Sequence, residues 1–238
     1  MTELTERPVV MSNRGAGRLT SLIYEDTKER LVTGTMAAGS RVSVELIRER
    51  FGVSKQPVME ALRLLSSDGL VEILPQVGCE VAQYSMQEVS DFYDMFAGFE
   101  GAIAAAAASR RRESQLADLA VVSRGIDRLR SEPSPEVRAT EYRLMNRAFH
   151  AAIHGMAGSR IMSTNSRRMW DLSDFLINTT GVPMPLSSAT SARHEDHERI
   201  RQAIIDGDPV AARREMERHI VTTVDVIRHE AASNLASE

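Results

Sequence analysis

Residues 43–82 read SVELIRERFGVSKQPVMEALRLLSSDGLVEILPQVGCEVA, and the reading of this run decides the fold. Ser43 stands as a helix N-cap before Val44–Phe51, where Val44, Ile47 and Phe51 fall at inward spacing, and Gly52 ends the short helix. Ser54 follows almost at once as the cap of a second helix, with Pro57 tolerated in its first turn and Val58, Ala61, Leu62 and Leu65 on one face. Past Asp68-Gly69 the period changes. Leu70–Leu74 and Cys79–Ala82 are β-prone runs on either side of Pro75-Gln76-Val77-Gly78, a hairpin with a glycine-containing turn. Two short helices joined at a tight turn, followed by a hairpin, predict a helix-turn-helix with a wing.

Upstream, Leu19, Leu22, Ile23, Leu31 and Val32 predict one more helix that stops at Gly34, behind a polar leader ending near Gly17. Downstream of Ser85, itself an N-cap, no strand signal recurs, and helices are expected at about 86–109, 113–131, 136–157, 159–180, 188–207 and 208–232. The breaks are Pro133-Ser134-Pro135, Gly158-Ser159, Gly181-Val182-Pro183-Met184-Pro185 and Gly207-Asp208-Pro209, where Asp208 caps the last helix and Pro209 begins it. The fold class is therefore mainly α: an N-terminal winged helix-turn-helix of three helices and a β-hairpin, then a C-terminal all-α antiparallel helical bundle. The expected divisions are a flexible leader at 1–17, a winged domain at 18–84 and a helical domain at 85–238, with the boundary and hinge at Gln83–Ser85.

Composition sets limits on function. With 42% apolar and 26% charged residues and a net charge of −4, the chain can build cores without being forced into disorder. A near-neutral total does not exclude a nucleic-acid partner, because Arg14–Arg63 holds nine Lys/Arg against six Asp/Glu. Cys79 is the one cysteine, so no intrachain disulfide can form, and nothing before Arg14 has the pattern of a secretory signal; both point to the cytoplasm. The most apolar stretch, Met95 to Ala108, is broken by Glu100 and falls short of the roughly 20 residues a membrane helix needs.

A helix about 10–12 Å across fits the major groove, and its outward residues meet base edges. With Val58, Ala61, Leu62 and Leu65 inward, the outward set is Lys55, Gln56, Met59 and Arg63. Lys55 suits guanine or phosphate, Gln56 suits adenine, Arg63 suits the backbone, and Ser54 at the helix N-terminus can take a phosphate. Gly78 at the hairpin tip serves the turn and can approach the minor groove. The run from Gly34 through Ala82, with Gly39-Ser40, Phe51-Gly52-Val53-Ser54, Pro57-Val58, Glu60-Ala61-Leu62, Gly69-Leu70-Val71 and Gly78, resembles the GntR-type winged helix. Two subunits are expected to pair as a homodimer, so that two recognition helices meet successive major grooves of a palindromic double-stranded operator. Lys55 and Met59 stand where family members usually carry base-contacting arginines, and Met59 cannot hydrogen-bond a base.

In the second half, His150 and Asn146 share a helix face one turn apart, while His197 and His219 border apolar stripes of two further helices and are expected inside. Three inward histidines suggest a transition metal, because imidazole is its commonest ligand and an unpartnered buried histidine is costly; satisfied core histidines are the alternative. The stretches Phe149-His150…Gly158, His197…Ile200…Ala203-Ile204…Gly207-Asp208 and Ala212…His219-Ile220 resemble the FCD ligand-sensing domain of the FadR subfamily. The resemblance implies a divalent metal, zinc first with nickel or manganese as alternatives, on Asn146, His150, His197 and His219. It also implies a small carboxylate effector aided by Arg143, Arg147, Arg167 or Trp170. Asn146 stands where many relatives have Asp, Phe96 where they have arginine, and Ser159 where asparagine is common. His154 is expected to face another side of its helix, and His194 to be solvated.

Two rivals remain at this level. A metal-dependent hydrolase or lyase lacks a carboxylate base beside the metal set and a nucleophile motif. A metal-free regulator with an acyl-CoA or other bulky effector keeps the DNA-binding half.

Overall fold

A computed structural model describes residues 16–179 and 189–235. Residues 1–15 of the expected leader and the Gly181–Pro185 loop lie outside the described residues, and Ala16 and Gly17, expected in the leader, already belong to a helix. The chain divides into two compact units: the described residues up to Gln83 together with Asp174–Thr179, and the remainder.

The first unit holds α1 (Ala16–Val32), α2 (Val44–Phe51), α3 (Lys55–Ser67), β1 (Val71–Leu74) and β2 (Gly78–Val81). Ser43 caps α2 by accepting from the Leu46 amide, and Gly52 closes it in the left-handed region at φ 62°, so the chain can re-enter a helix within two residues. α3 then buries Pro57, Val58, Ala61, Leu62 and Leu65 against α1 and α2. Ile23, Leu31, Phe51, Leu70, Val71 and Val81 complete this core. Leu22, grouped with the inward residues of α1 by its spacing, is instead 37% exposed, and Val44 is only half-buried. Tyr24 donates to Asp68 at 2.7 Å and Arg50 pairs with Asp26 at 2.7 Å, tying α1 to the helices behind it.

β1 and β2 pair antiparallel with Val71 opposite Val81 and Leu74 opposite Gly78. The extended segment 40–42 adds to the outer edge of β2, through Val42 N–H to the Cys79 carbonyl and Val81 N–H to the Ser40 carbonyl. The turn needs unusual backbone at both ends: Gln76 sits at φ 64° and Gly78 at φ 135°.

The second unit is built from helices: α4 (Met86–Arg110), α5 (Glu113–Leu129), α6 (Pro135–Ala157), α7 (Arg160–Asn178, whose end from Asp174 counts with the first unit), α8 (Thr190–Asp206) and α9 (Pro209–Leu235). Ser85 and Glu88 form a capping box at the start of α4. The Asp208 carboxylate takes the Val210 and Ala211 amides at 3.0 Å, with Pro209 in the first turn of α9. α4 is the axis of the bundle, packing on α9, α6 and α8, and its small residues Ala104, Ala107 and Ala108 are fully buried. α8 lies between α5 and α9 as well as on α4, so it buries a wide arc and not a single stripe. No described helix is long and apolar enough to cross a membrane.

Candidate DNA-reading face and buried histidine centre

On the first unit, Ser54, Lys55, Gln56 and Arg63 are exposed, Met59 is half-buried, and Gly78 stands exposed at the wing. The Ser54 hydroxyl makes no bond to its own helix and stays available at the α3 N-terminus. Lys55 and Met59 line a groove of about 800 Å3 with Arg41, Arg48, Gln76 and Gly78. The Arg41 guanidinium donates to the Val77 carbonyl at 3.1 Å, which puts a cation on the turn of the hairpin. Sequence reading missed Arg41 and Arg48. Their signal was weak, since both sit outside the recognition helix and reach this face only through the pairing of 40–42 with β2 and the turn at Gly52.

In the second unit, α6, α8 and α9 each deliver one histidine to a common point. His150, His197 and His219 are at most 1% exposed, and one nitrogen from each lies within 4.8 Å of the others. His197 Nε2 and His219 Nε2 are 3.2 Å apart. Two imidazoles on a tetrahedral zinc, each bonded at about 2.0–2.1 Å, hold their nitrogens about 3.3–3.4 Å apart, so the spacing already suits a shared ion. His150 Nε2 is buried with no hydrogen-bond partner among the described residues, and so is Oδ1 of Asn146 one turn earlier on α6. Buried polar atoms left in this way call for a ligand. The residues present therefore fit a divalent ion.

Packing orients the rings. Phe149 stacks on His197 with centroids 4.3 Å apart, and Trp170 lies on His150 at 4.2 Å while meeting Phe96 edge-on at 5.0 Å. Charges stand behind them. Glu100, fully buried on α4, has Oε2 3.6 Å from His150 Nδ1 and 3.0 Å from His154 Nε2, and its Oε1 accepts from Ser166 at 2.5 Å. Asp196 Oδ2 lies 3.4 Å from His219 Nδ1. The Asp196 carboxylate can hold the His219 proton on Nδ1 and leave the Nε2 lone pair free to bind an ion, whereas Glu100 stands beyond hydrogen-bond distance of His150 Nδ1 and acts on that ring through its charge.

The electrostatics agree. Burial alone would raise the Glu100 carboxyl, but hydrogen bonds and charge from His150 and His154 outweigh it and hold it at about 2. Burial pushes the His150 imidazole down to about 4, with Glu100 working the other way. Burial also sends His197 and His219 well below the ordinary histidine value, with neighbouring positive groups adding to it. At neutral pH the centre is three neutral imidazoles, the form that binds metal.

Two expectations need correction. Carboxylates do stand beside the histidine set, but they meet the Nδ1 edges of His150 and His219, so they orient ligands and are not placed as a base on the Nε2 side. His194 is not solvated: it is 8% exposed, with Nε2 3.4 Å from Asp127 on α5, because α8 is covered on that side too. Of the residues expected around an effector, Trp170 forms part of the centre, Arg147 lies over its ring at 5.5 Å and pairs with Asp171 at 3.0 Å, Arg143 is half-buried on α6, and Arg167 is exposed on α7. Arg193 was missed. It is 4% exposed, donates to the His219 carbonyl at 2.7 Å, and brings Nη2 to 3.3 Å from His219 Nε2.

A wing with an exposed recognition helix, carried on a chain whose helical half encloses a polar centre, defines the class: a DNA-binding transcription regulator with an effector domain. Residues 19–81 match the model described as bacterial regulatory proteins, gntR family, and residues 91–222 match the FCD domain. The chain belongs to the GntR family of transcription regulators, in its FCD-domain FadR subfamily. It is similar to the HTH-type transcriptional repressor GlaR of Escherichia coli K12, 25% identical over 215 residues that cover 89% of this chain and 96% of that one. It is also similar to the repressor RspR of the same organism, 38% identical over 93 residues, which is 39% of this chain and 41% of that one. Among solved structures, E. coli McbR/YncC shares the fold with a TM-score of 0.71 at 17% identity, covering 92% of this chain and 99% of that one. A GntR-type regulator from Rhodococcus sp. RHA1 gives 0.70 at 17% identity, covering 88% and 97%. The domains and relatives are transcription regulators, not enzymes.

Proposed function

We propose that the chain is a metabolite-controlled repressor that acts in the cytoplasm as a homodimer. Two copies of α3 enter successive major grooves of a palindromic operator, with Lys55 and Gln56 at base edges, Ser54 and Arg63 on phosphates, and the wing at Gly78 beside the minor groove. The helical unit holds a divalent ion, zinc first and nickel or manganese as alternatives, on Asn146, His150, His197 and His219. A small carboxylate joins the ion, and its binding shifts the population of dimers whose recognition helices are correctly spaced, with 83–85 as the hinge. The repressor role is supported by the names of the relatives GlaR and RspR.

The observation that carries the reading is the convergence of three buried imidazoles, two of whose Nε2 atoms lie 3.2 Å apart. Elemental analysis of purified wild type and His150→Ala tests it. One ion per wild-type chain and a marked loss in the variant is the expected result; no bound metal in either ends the metal assignment. In parallel, a gel shift on promoter fragments from its own genome should show a complex that some small carboxylate releases.

A further inference from the structure

The buried arginine behind His219 has a free edge. Arg193 Nη1 is occupied by the His219 carbonyl at 2.7 Å, and Nη2 gives one hydrogen to Thr223 Oγ1 at 2.9 Å. Its other contact is the 3.3 Å approach to His219 Nε2, the atom assigned to the metal, and Nε is buried with no partner among the described residues. An ion on His219 takes the lone pair that Nη2 faces. The Nε and Nη2 donors then stand unmatched, and they form the side-on fork of a guanidinium, whose spacing suits the two oxygens of a carboxylate.

Charge leads to the same place. A dication beside Arg193 brings three positive charges into a buried space, while the histidines and Asn146 are neutral ligands. The nearby carboxylates are engaged elsewhere: Glu100 with His154 and Ser166, and Asp196 with Arg199 as well as His219. The Tyr142 hydroxyl supplies a third donor. It is buried, has no hydrogen-bond partner among the described residues, and lies near enough to Arg193 for that cation to oppose the rise in its pKa that burial causes.

Resting on the metal-and-carboxylate reading above, we infer that Arg193 is the residue that fixes the effector: one carboxylate spans the metal ion and the Nε/Nη2 edge of Arg193, with the Tyr142 hydroxyl donating to it. The effector is thus an organic acid recognised by a planar carboxylate end. The arginines at 143, 147 and 167 are not its anchor.

Calorimetric titration of acetate and succinate into the zinc-loaded full chain tests this, with metal content and thermal unfolding recorded for every variant. The expected result is binding by wild type, about tenfold or greater weakening in Arg193→Gln with zinc still held, a partial loss in Arg193→Lys, which keeps charge but not the fork, and a smaller loss in Tyr142→Phe. Wild-type binding in a zinc-loaded Arg193→Gln, undiminished affinity in Arg193→Lys, or no binding of either acid by wild type would overturn the assignment. The metal reading fails separately: a wild type that holds no zinc yet binds succinate through Arg193 removes the ion and keeps the arginine. Should Arg193→Gln not fold, Arg193→Lys and Tyr142→Phe decide alone.

Discussion

His197 Nε2 on α8 and His219 Nε2 on α9 stand 3.2 Å apart, and both residues are fully buried. Asp196 beside His219 Nδ1 draws the ring proton to that side, which leaves the His219 Nε2 lone pair facing His197 Nε2. A divalent ion held by the three histidines would clamp α6, α8 and α9 together. Binding energy of this kind appears directly as fold stability, about 2.7 kcal/mol at a hundredfold excess over Kd.

Asn146→Asp should tighten the metal by roughly tenfold, since a carboxylate replaces a neutral oxygen at the fourth position. The added negative charge should also weaken carboxylate binding. Chelator competition and calorimetry check the two halves, and a variant that gains on both counts contradicts the charge argument.

Glu100→Gln keeps the shape of the buried side chain but removes the charge that orients His150. Metal affinity should drop by about 10–100-fold, the usual cost of losing an outer partner of a metal-bound histidine. Unchanged affinity in a folded variant would show that Glu100 serves only the His154–Ser166 packing.

The metal-free protein should lose stability as pH falls from about 6.5 toward 4. His150, His197 and His219 have folded values below the ordinary one, so the unfolded chain takes up protons first and is favoured as pH drops. Glu100, depressed to about 2, adds a second loss below the ordinary carboxylate value of 4.5. Denaturant titrations at pH 7, 6 and 5 read this out, and each histidine contributes at most about 1.4 kcal/mol per pH unit. A flat profile between pH 7 and 5 rules it out.

Arg63→Ala should weaken DNA binding about equally on all sequences and reduce the slope of log K against log salt by roughly one. Gln56→Ala should instead relax preference at one base position at a cost of about 1–3 kcal/mol on the preferred site. Interchanged phenotypes would mean that the recognition helix is rotated from the placement given by its buried face.

Much of this could be read in the residues alone. α3 declared itself because Val58, Ala61, Leu62 and Leu65 repeat at helical spacing, and all four are fully buried. His197 and His219 were legible for a similar reason, as neighbours of apolar stripes, and His150 as the residue sharing a helix face with Asn146. What stayed hidden depends on contacts between distant segments. Glu100 read as an interruption of an apolar run, although a lone acid in such a run implies a buried partner, here His154 54 residues away. Arg193 and His194 sit among Asp, Glu and Arg in a segment that looks solvated, and only the cover of α8 by α5 and α9 buries them. Arg41 reaches the groove beside α3 through strand pairing that no local pattern announces.

Sequencing of genomic fragments captured by the purified, metal-loaded chain tests the central claim most directly. The account predicts enrichment of a few palindromic sites whose half-sites are protected about one helical turn apart, lost in Gln56→Ala and released by a small carboxylate. Uniform recovery of fragments, with or without added acids, would contradict it.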